Sequence, residues 1–535
     1  MKKNNLFKQK HWFGYTIFAL IILSTLVLIF PCCQPTKSSN VKIDLTNLDH
    51  YIENARKVWR VPGMSVAVVK DGKILFAKGY GVKENARDGK VDEHTLFAIA
   101  SNTKAFTSAA LGMLVDRGQL NWDDKVTTFL PSFELYHQYV TQEITVRDLL
   151  CHRSGLGTFS GDLLWYETPY TTLEVIKRAK YLKPKFAFRS GYGYSNIMFM
   201  AAGEVVQAVS GIPYKEFISQ HIFSPLGMNR TCIGTSDLEG KDNVATPHHV
   251  PKEGKPVTVA YTSSDSMAGA GAINSSAQDM AQWLMMLLDE GKKGNMQIIS
   301  TNSLDELWTP HNSFKVSQDR KEISPTTNFS AYGLGWGIWD YHGHKVVGHG
   351  GGLDGMISRV TLVPGKRLGF VILTNSINRL CTPLTYKLLD TFLGTGSKDW
   401  SKYFLQRRDE RETEAKKQEA DAEKKTASEP LTKVQLDLNE YTGRYGGPMY
   451  GDAEVELVSG DLVLNLLPTP VFISDLKHLD NDTFELTLRN TFSFIPKGKG
   501  TVRFLRNKKK KVVEMVVDIP NNDFWFTELE FRKRD

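Results

Sequence analysis

Five cysteines in 535 residues are too few for a disulfide framework. Cys32 and Cys33 close an N-terminal apolar run, while Cys151, Cys232 and Cys381 stand far apart. No C-x-x-C pair offers a thiolate zinc site. The chain has no H-E-x-x-H, and its H-x-H at His342 and His344, near His349, is followed by Lys345 rather than an acid, so no metal site is expected. It has no G-x-S-x-G, which excludes the nucleophile elbow of an α/β-hydrolase. Charge of one sign is also scarce. Sixty-six basic against 59 acidic residues leave a net +7, too dilute for a nucleic-acid binder, and nothing calls for a cofactor. What remains is an ordinary globular composition, 41% hydrophobic and 23% charged. A single core rarely grows past roughly 250–300 residues, so more than one folded unit is expected.

The amino terminus carries Lys2, Lys3, Lys8 and Lys10 and no acid, and Trp12 to Phe30 is almost wholly apolar. A helix of that length reaches roughly 28 Å, close to the hydrocarbon core of a bilayer, with the lysines held on the cytoplasmic side. A retained signal anchor is the expectation. A lipoprotein signal ending at Cys32 or Cys33 competes, although Ile29-Phe30-Pro31 lacks the usual small residues. Plain cleavage fits worst, since no A-x-A-like site follows. The rest of the chain is then expected on the extracytoplasmic face, tethered to the membrane.

Val66–Val69 and Ile74–Ala77 flank Asp71-Gly72, the pattern of a tight primed hairpin. Ser101–Asp116 reads as a helix, residues 140–300 as mostly helical, and strands return at Lys345–Gly348, Arg359–Val363 and Gly369–Thr374. Strands, a helical middle and strands again make an α+β unit rather than repeated βαβ. Between Phe404 and Glu429 fifteen of 26 residues are charged, the mark of a solvated linker or exposed helix. Beyond Leu431 short alternating runs (454–458, 462–466, 484–488, 501–505, 512–517 and 525–531) predict a small β-barrel or sandwich. The expected division is 1–40 signal segment, 41–398 main domain, 399–432 charged linker and 433–535 β domain.

Three short elements carry chemistry. In Ser101-Asn102-Thr103-Lys104, at a helix start, residues three apart share a face, so the hydroxyl and the amine can meet. The helix start adds free N–H groups suited to an oxyanion. A serine needs a base, and lysine serves as one only when burial or positive neighbours favour the neutral amine. Tyr194-Ser195-Asn196 offers a phenol for proton transfer and an amide for the substrate. His349-Gly350-Gly351-Gly352 reads as a strand ending in glycines, which let a substrate backbone approach closely and leave N–H groups free, with a plain glycine-rich turn as the alternative. His349 is placed to bond Tyr194 or the substrate.

In this order and spacing the chain resembles the serine β-lactamase-like hydrolases of the class C, D-alanyl-D-alanine carboxypeptidase and D-aminopeptidase group. Residues 144–156 (ITVRDLLCHRSGL), Pro225-Leu226-Gly227-Met228, Tyr332-Gly333-Leu334-Gly335-Trp336 and Leu373-Thr374-Asn375 extend the likeness over about 45–395. The tail resembles the lipocalin-like domain that follows some of these enzymes. The resemblance implies an antiparallel sheet flanked by helices with a mostly helical subdomain, then a barrel-like domain. It implies an acyl-enzyme on Ser101, with Lys104 and Tyr194 moving the proton, and Asn196, His349, Gly351 and Gly352 binding substrate or oxyanion. The family's usual K-[ST]-G is replaced by His349-Gly350-Gly351, which weakens the hold on a carboxylate. D-amino-acid peptides, amides or esters are therefore expected ahead of penicillins, in a protein that is free to self-associate. A class C-like β-lactamase and a non-catalytic acyl receptor or sensor are the alternatives.

Overall fold

The computed structural model describes residues 43–396, 398–426, 437–495 and 498–534, without the side chains of 419–426. The N-terminal apolar run, with its anchor and lipoprotein readings, lies outside the described residues, as does the end of the charged linker. Among the described residues no single helix is long and apolar enough to cross a membrane.

The hairpin forms as its sequence dictates. Strands β1 (Gly63–Lys70) and β2 (Lys73–Gly81) pair antiparallel across Asp71 and Gly72, at φ 52° and 74°, the left-handed pair a primed turn requires. Six further strands complete the sheet: β3 (Asn312–Phe314), β4 (Ser330–Tyr332), β5 (Gly337–Tyr341), β6 (His344–Leu353), β7 (Met356–Val363) and β8 (Leu368–Thr374). Their order is β3-β4-β5-β6-β7-β8-β1-β2, antiparallel throughout. The centre of the sheet is apolar on both faces. Val66, Val68, Phe370 and Ile372 pack under helices α1 (Leu45–Val58) and α5 (Cys381–Leu393). Ala67, Val69, Val371 and Leu373 face the opposite core, which holds α2 (Thr103–Asp116), α3 (Asn196–Ser210) and α4 (Ala277–Leu288). Burial on both faces explains why β1 reads as a continuous apolar run rather than an alternation. Each fully buried Val, Leu or Phe stabilises this sandwich by roughly 1.5–3 kcal/mol.

Two sequence expectations are corrected here. The strand expected to end at Gly348 continues through residues 349–353, the second half of β6, since their glycines stay extended and pair with β7, which removes the alternative of a turn. The expected helix at Ser101 begins as a short 3-10 turn, Ala100–Asn102, before α2.

The charged stretch is helical: α6 runs Trp400–Thr426, and its Arg407 and Arg411 reach Asp319 of the main domain at 3.0 and 2.6 Å. Eight antiparallel strands then close a barrel: β9 (Gly443–Gly447), β10 (Gly451–Val458), β11 (Asp461–Leu466), β12 (Ile473–Asp480), β13 (Thr483–Leu488), β14 (Lys499–Arg506), β15 (Val512–Asp518) and β16 (Phe531–Lys533). Closure leaves no free sheet edge. Strands β9 and β12 escaped the sequence reading, and the run expected at 525–531 is largely a 3-10 turn, Phe526–Glu528. Its apolar residues are buried by tertiary contact instead: Phe526 meets Phe472, and the neighbouring Phe524 packs tilted against Tyr166 of the main domain. Tyr170 donates to the Tyr450 carbonyl at 2.6 Å and Arg178 to that of Met449 at 2.7 Å, so the barrel is bolted to the helical region.

Candidate active site

Ser101 sits where the chain is forced out of its ordinary path. Ala100 just before it has φ 47°, a left-handed value costly for a residue with a Cβ. Asn102 Nδ2 donates to Ser358 Oγ at 2.7 Å and Ser358 donates to the Ile99 carbonyl at 2.6 Å, which pins the strained turn to β7. Ser101 lies in the first turn of a helix, whose N–H groups have no partner within it. The edge of β6 passes alongside. Strand β5 pairs only as far as Gly348, so from His349 onward one side of β6 is free and alternate N–H and C=O groups point away from β7. Of the three glycines, Gly351 lies closest: a Cβ there would come within 2.1 Å of the Ile99 carbonyl and 3.0 Å of the Ser101 nitrogen.

Lys104 is completely buried and lies 3.1 Å from Ser101 Oγ. Its ammonium nitrogen also donates to Asn196 Oδ1 at 2.6 Å and to the Ala270 carbonyl at 2.8 Å, and it lies 4.8 Å from the centre of the Tyr194 ring. Burial lowers its pKa to about 7, against the pull of Asp162. Burial also pushes the Tyr194 phenol well above its ordinary range, although Ser101 hydrogen-bonds it. Serine, lysine, tyrosine and asparagine, expected together from sequence, do converge.

His349 is in the cleft wall but is already engaged. His152 Nδ1 accepts the Ser195 N–H at 3.0 Å, so the neutral ring carries its proton on Nε2 and donates it to Tyr332 Oη at 3.2 Å. Tyr332 in turn donates to His349 Nε2 at 2.8 Å, and His349 Nδ1 donates to the Gly350 carbonyl at 2.6 Å. Burial, then the Lys104 charge, hold His349 at about 3, so it stays neutral. Neither ring nitrogen reaches Tyr194, whose ring centre is 6.1 Å away, which corrects the bond expected between them. In the sequence Tyr332 and His152 stand out only as parts of the family segments.

A cleft of about 400 Å³ opens over Ser101. Phe159, Trp165, Tyr166 and Ile357 of the main domain face Phe494 and Phe524 of the barrel across it. Asp162, Asp354 and Asp523 are also in its wall, and among the described residues no lysine or arginine is. Burial raises Asp162 to about 7 and pushes Asp354 and Asp523 above the usual carboxylate range. The sequence reading missed Asp162; an acid inside the apolar run Gly161-Asp162-Leu163-Leu164-Trp165-Tyr166 was its one signal. Among the described residues no three His, Cys, Asp or Glu side chains converge as metal ligands, and Cys151, Cys232 and Cys381 are buried and free.

The sheet with its flanking helices and this serine–lysine–tyrosine cluster define a serine hydrolase. Residues 48–379 match the family model described as beta-lactamase, and 427–533 match a domain of unknown function, DUF3471. The chain belongs to the beta-lactamase family. It is 31% identical to an unguisins hydrolase of Aspergillus campestris over 73% of this chain and 74% of that protein. Its fold matches the octameric penicillin-binding protein homologue of Pyrococcus abyssi with a TM-score of 0.61 at 22% identity, over 92% of this chain and 100% of the other. A D-stereospecific amidohydrolase of Streptomyces matches with a TM-score of 0.53 at 23% identity, over 66% of this chain and 100% of that one.

Proposed function

We propose that the protein hydrolyses amide or ester bonds of D-amino-acid-containing peptides, amides or esters through an acyl-enzyme on Ser101. The observation that carries this reading is the environment of Lys104. A neutral amine has two N–H bonds, and two fixed acceptors, Asn196 Oδ1 and the Ala270 carbonyl, take both. The remaining lone pair then faces Ser101 Oγ. As Oγ bonds the carbonyl carbon, its proton passes to Lys104 and the carbonyl electrons move onto oxygen, held by the N–H groups of Ser101 and Gly352. Tyr194 stays a protonated phenol, so it hands a proton to the departing amine or alkoxide and is refilled from Lys104. Water then repeats the sequence on the acyl-enzyme.

The cleft supports substrates without a carboxylate. Its acids repel one, its histidine is neutral, and its aromatic walls suit an apolar side chain. The names of the unguisins hydrolase and the D-stereospecific amidohydrolase support peptide amides as the substrate class. Tethering of the N-terminal segment on the extracytoplasmic face is part of the same proposal and rests on the lysine-flanked apolar run; fractionation of the expressed protein tests it. The octameric Pyrococcus relative supports a homo-oligomer, which light scattering measures.

The central test is intact mass and turnover with D- and L-aminoacyl amides and esters. Turnover lost in Ser101→Ala, with a transient acyl adduct in the wild type, supports the proposal. Activity surviving Ser101→Ala refutes it, and a permanent adduct without turnover makes the protein an acyl receptor.

A further inference from the structure

Asp162 lines the cleft beside Ser101 yet bonds neither Ser101 nor Lys104. Its place is fixed from two sides. Gly161 before it has φ 78°, and a Cβ there would strike Leu182 and Ile197 at 2.5 and 2.8 Å, so the turn is tight. The barrel's Glu528 accepts hydrogen bonds from Ser160 Oγ at 2.6 Å and from the Gly161 N–H at 2.9 Å. From this clamped turn Asp162 Oδ2 accepts from Asn196 Nδ2 at 2.6 Å.

That bond orders the amide. A carboxylate only accepts, so it draws the NH₂ end of Asn196 and leaves Oδ1 for Lys104. A reversed amide would set donor against donor at the lysine. The charges around Lys104 are otherwise sparse. Tyr194 stays a phenol, His152 and His349 stay neutral, and Asp162 alone among these neighbours can carry a negative charge. Glu528 faces Asp162 from the barrel side and makes its ionisation harder.

We propose that Asp162 is a positioning residue acting through Asn196: it holds the amide oxygen toward Lys104, and its carboxylate balances the ammonium formed when Lys104 takes the Ser101 proton. This rests on the acyl-enzyme reading above.

The test is the rate at which a fluorophosphonate labels Ser101 in the full-length protein as a function of pH, read by intact mass. In that reaction Oγ bonds phosphorus, fluoride leaves and the proton goes to Lys104. Wild-type labelling rises with pH through about 7, the range in which Lys104 and Asp162 titrate together, as the neutral amine becomes available beside the carboxylate. Removing a nearby opposite charge lowers a lysine pKa, so in Asp162→Asn the rising limb moves to lower pH by about one unit. The maximal rate falls about tenfold or more with loss of the charge balance. The double variant Asp162→Asn/Asn196→Asp keeps the donor–acceptor chain intact and brings the carboxylate next to Lys104. Its limb moves to higher pH than the wild type. A limb that stays at the wild-type pH in either folded variant, whatever the rate, overturns the proposal, because a merely structural aspartate slows labelling without moving it. Should the single variant fail to fold, the double variant decides alone. Ser101→Ala separates the two levels: labelling that persists there sinks the acyl-enzyme reading itself.

Discussion

Substituting alanine at Gly351 puts a methyl where the structure has no room. It would sit 2.1 Å from the Ile99 carbonyl, 2.5 Å from Ser358 Oγ and 3.0 Å from the Ser101 nitrogen. The first contact is with backbone, so no rotamer change relieves it, and Ser358 is held by its bonds to Ile99 and Asn102. Strand β6 and the turn carrying Ser101 must therefore move apart. Overpacking of this kind costs roughly 1–3 kcal/mol of stability. In the proposed mechanism the displaced Ser101 N–H is an oxyanion donor, and loss of one such donor costs about 10²–10³ in kcat. Gly350 is the internal control: a Cβ there meets nothing closer than Arg359 at 3.4 Å. We expect Gly351→Ala to hydrolyse a p-nitrophenyl ester about 100-fold more slowly while staying folded, and Gly350→Ala to remain within about threefold of wild type. Equal activity of the two variants, or the reverse order, would refute the steric argument.

Three other outcomes are expected. Tyr332→Phe strands a donor on His152 and an acceptor on His349, so denaturant unfolding should show a loss of about 1–3 kcal/mol. The folded His349 stays neutral down to about 3 while an unfolded histidine protonates near 6.5; its stabilising influence is complete above 6.5 and drains away as pH falls toward 3. Melting temperature against pH should therefore fall less steeply in His349→Gln than in wild type over that window. Phe524→Ala removes part of the barrel's wall from the cleft, and should raise KM for aryl substrates several-fold while leaving kcat within about twofold, measured by steady-state kinetics.

What was legible in the sequence had a local cause. Asp71-Gly72 between apolar runs dictates its own turn, and Ser101 and Lys104 meet because three residues on a helical turn always do. What was illegible depended on partners distant along the chain. Glycines 350–352 leave a turn open as an alternative because nothing nearby reveals that β7 will pair with them. For His349 the sequence offers Tyr194 or the substrate, but Tyr332, seventeen residues upstream, claims its free nitrogen. Asp162 looked like one acid in an apolar stretch, and only Asn196 and the turn held by Glu528 give it a place. The aromatic run at 525–531 alternates like a strand, yet the neighbouring main domain decides its burial.

Under the proposed function, selectivity and reactivity fall in different parts of the chain. The groups proposed to break the bond stand on the main domain, whereas Phe494, Asp523 and Phe524 shape the opening from loops of the barrel. Those loops connect strands whose pairing closes on itself, so their side chains can change without disturbing the turn that strains Ala100 or the lysine behind it. Two proteins with identical catalytic residues and different barrel loops would accept different substrates, and a library confined to residues 492–495 and 521–526 is the place to redirect this hydrolase.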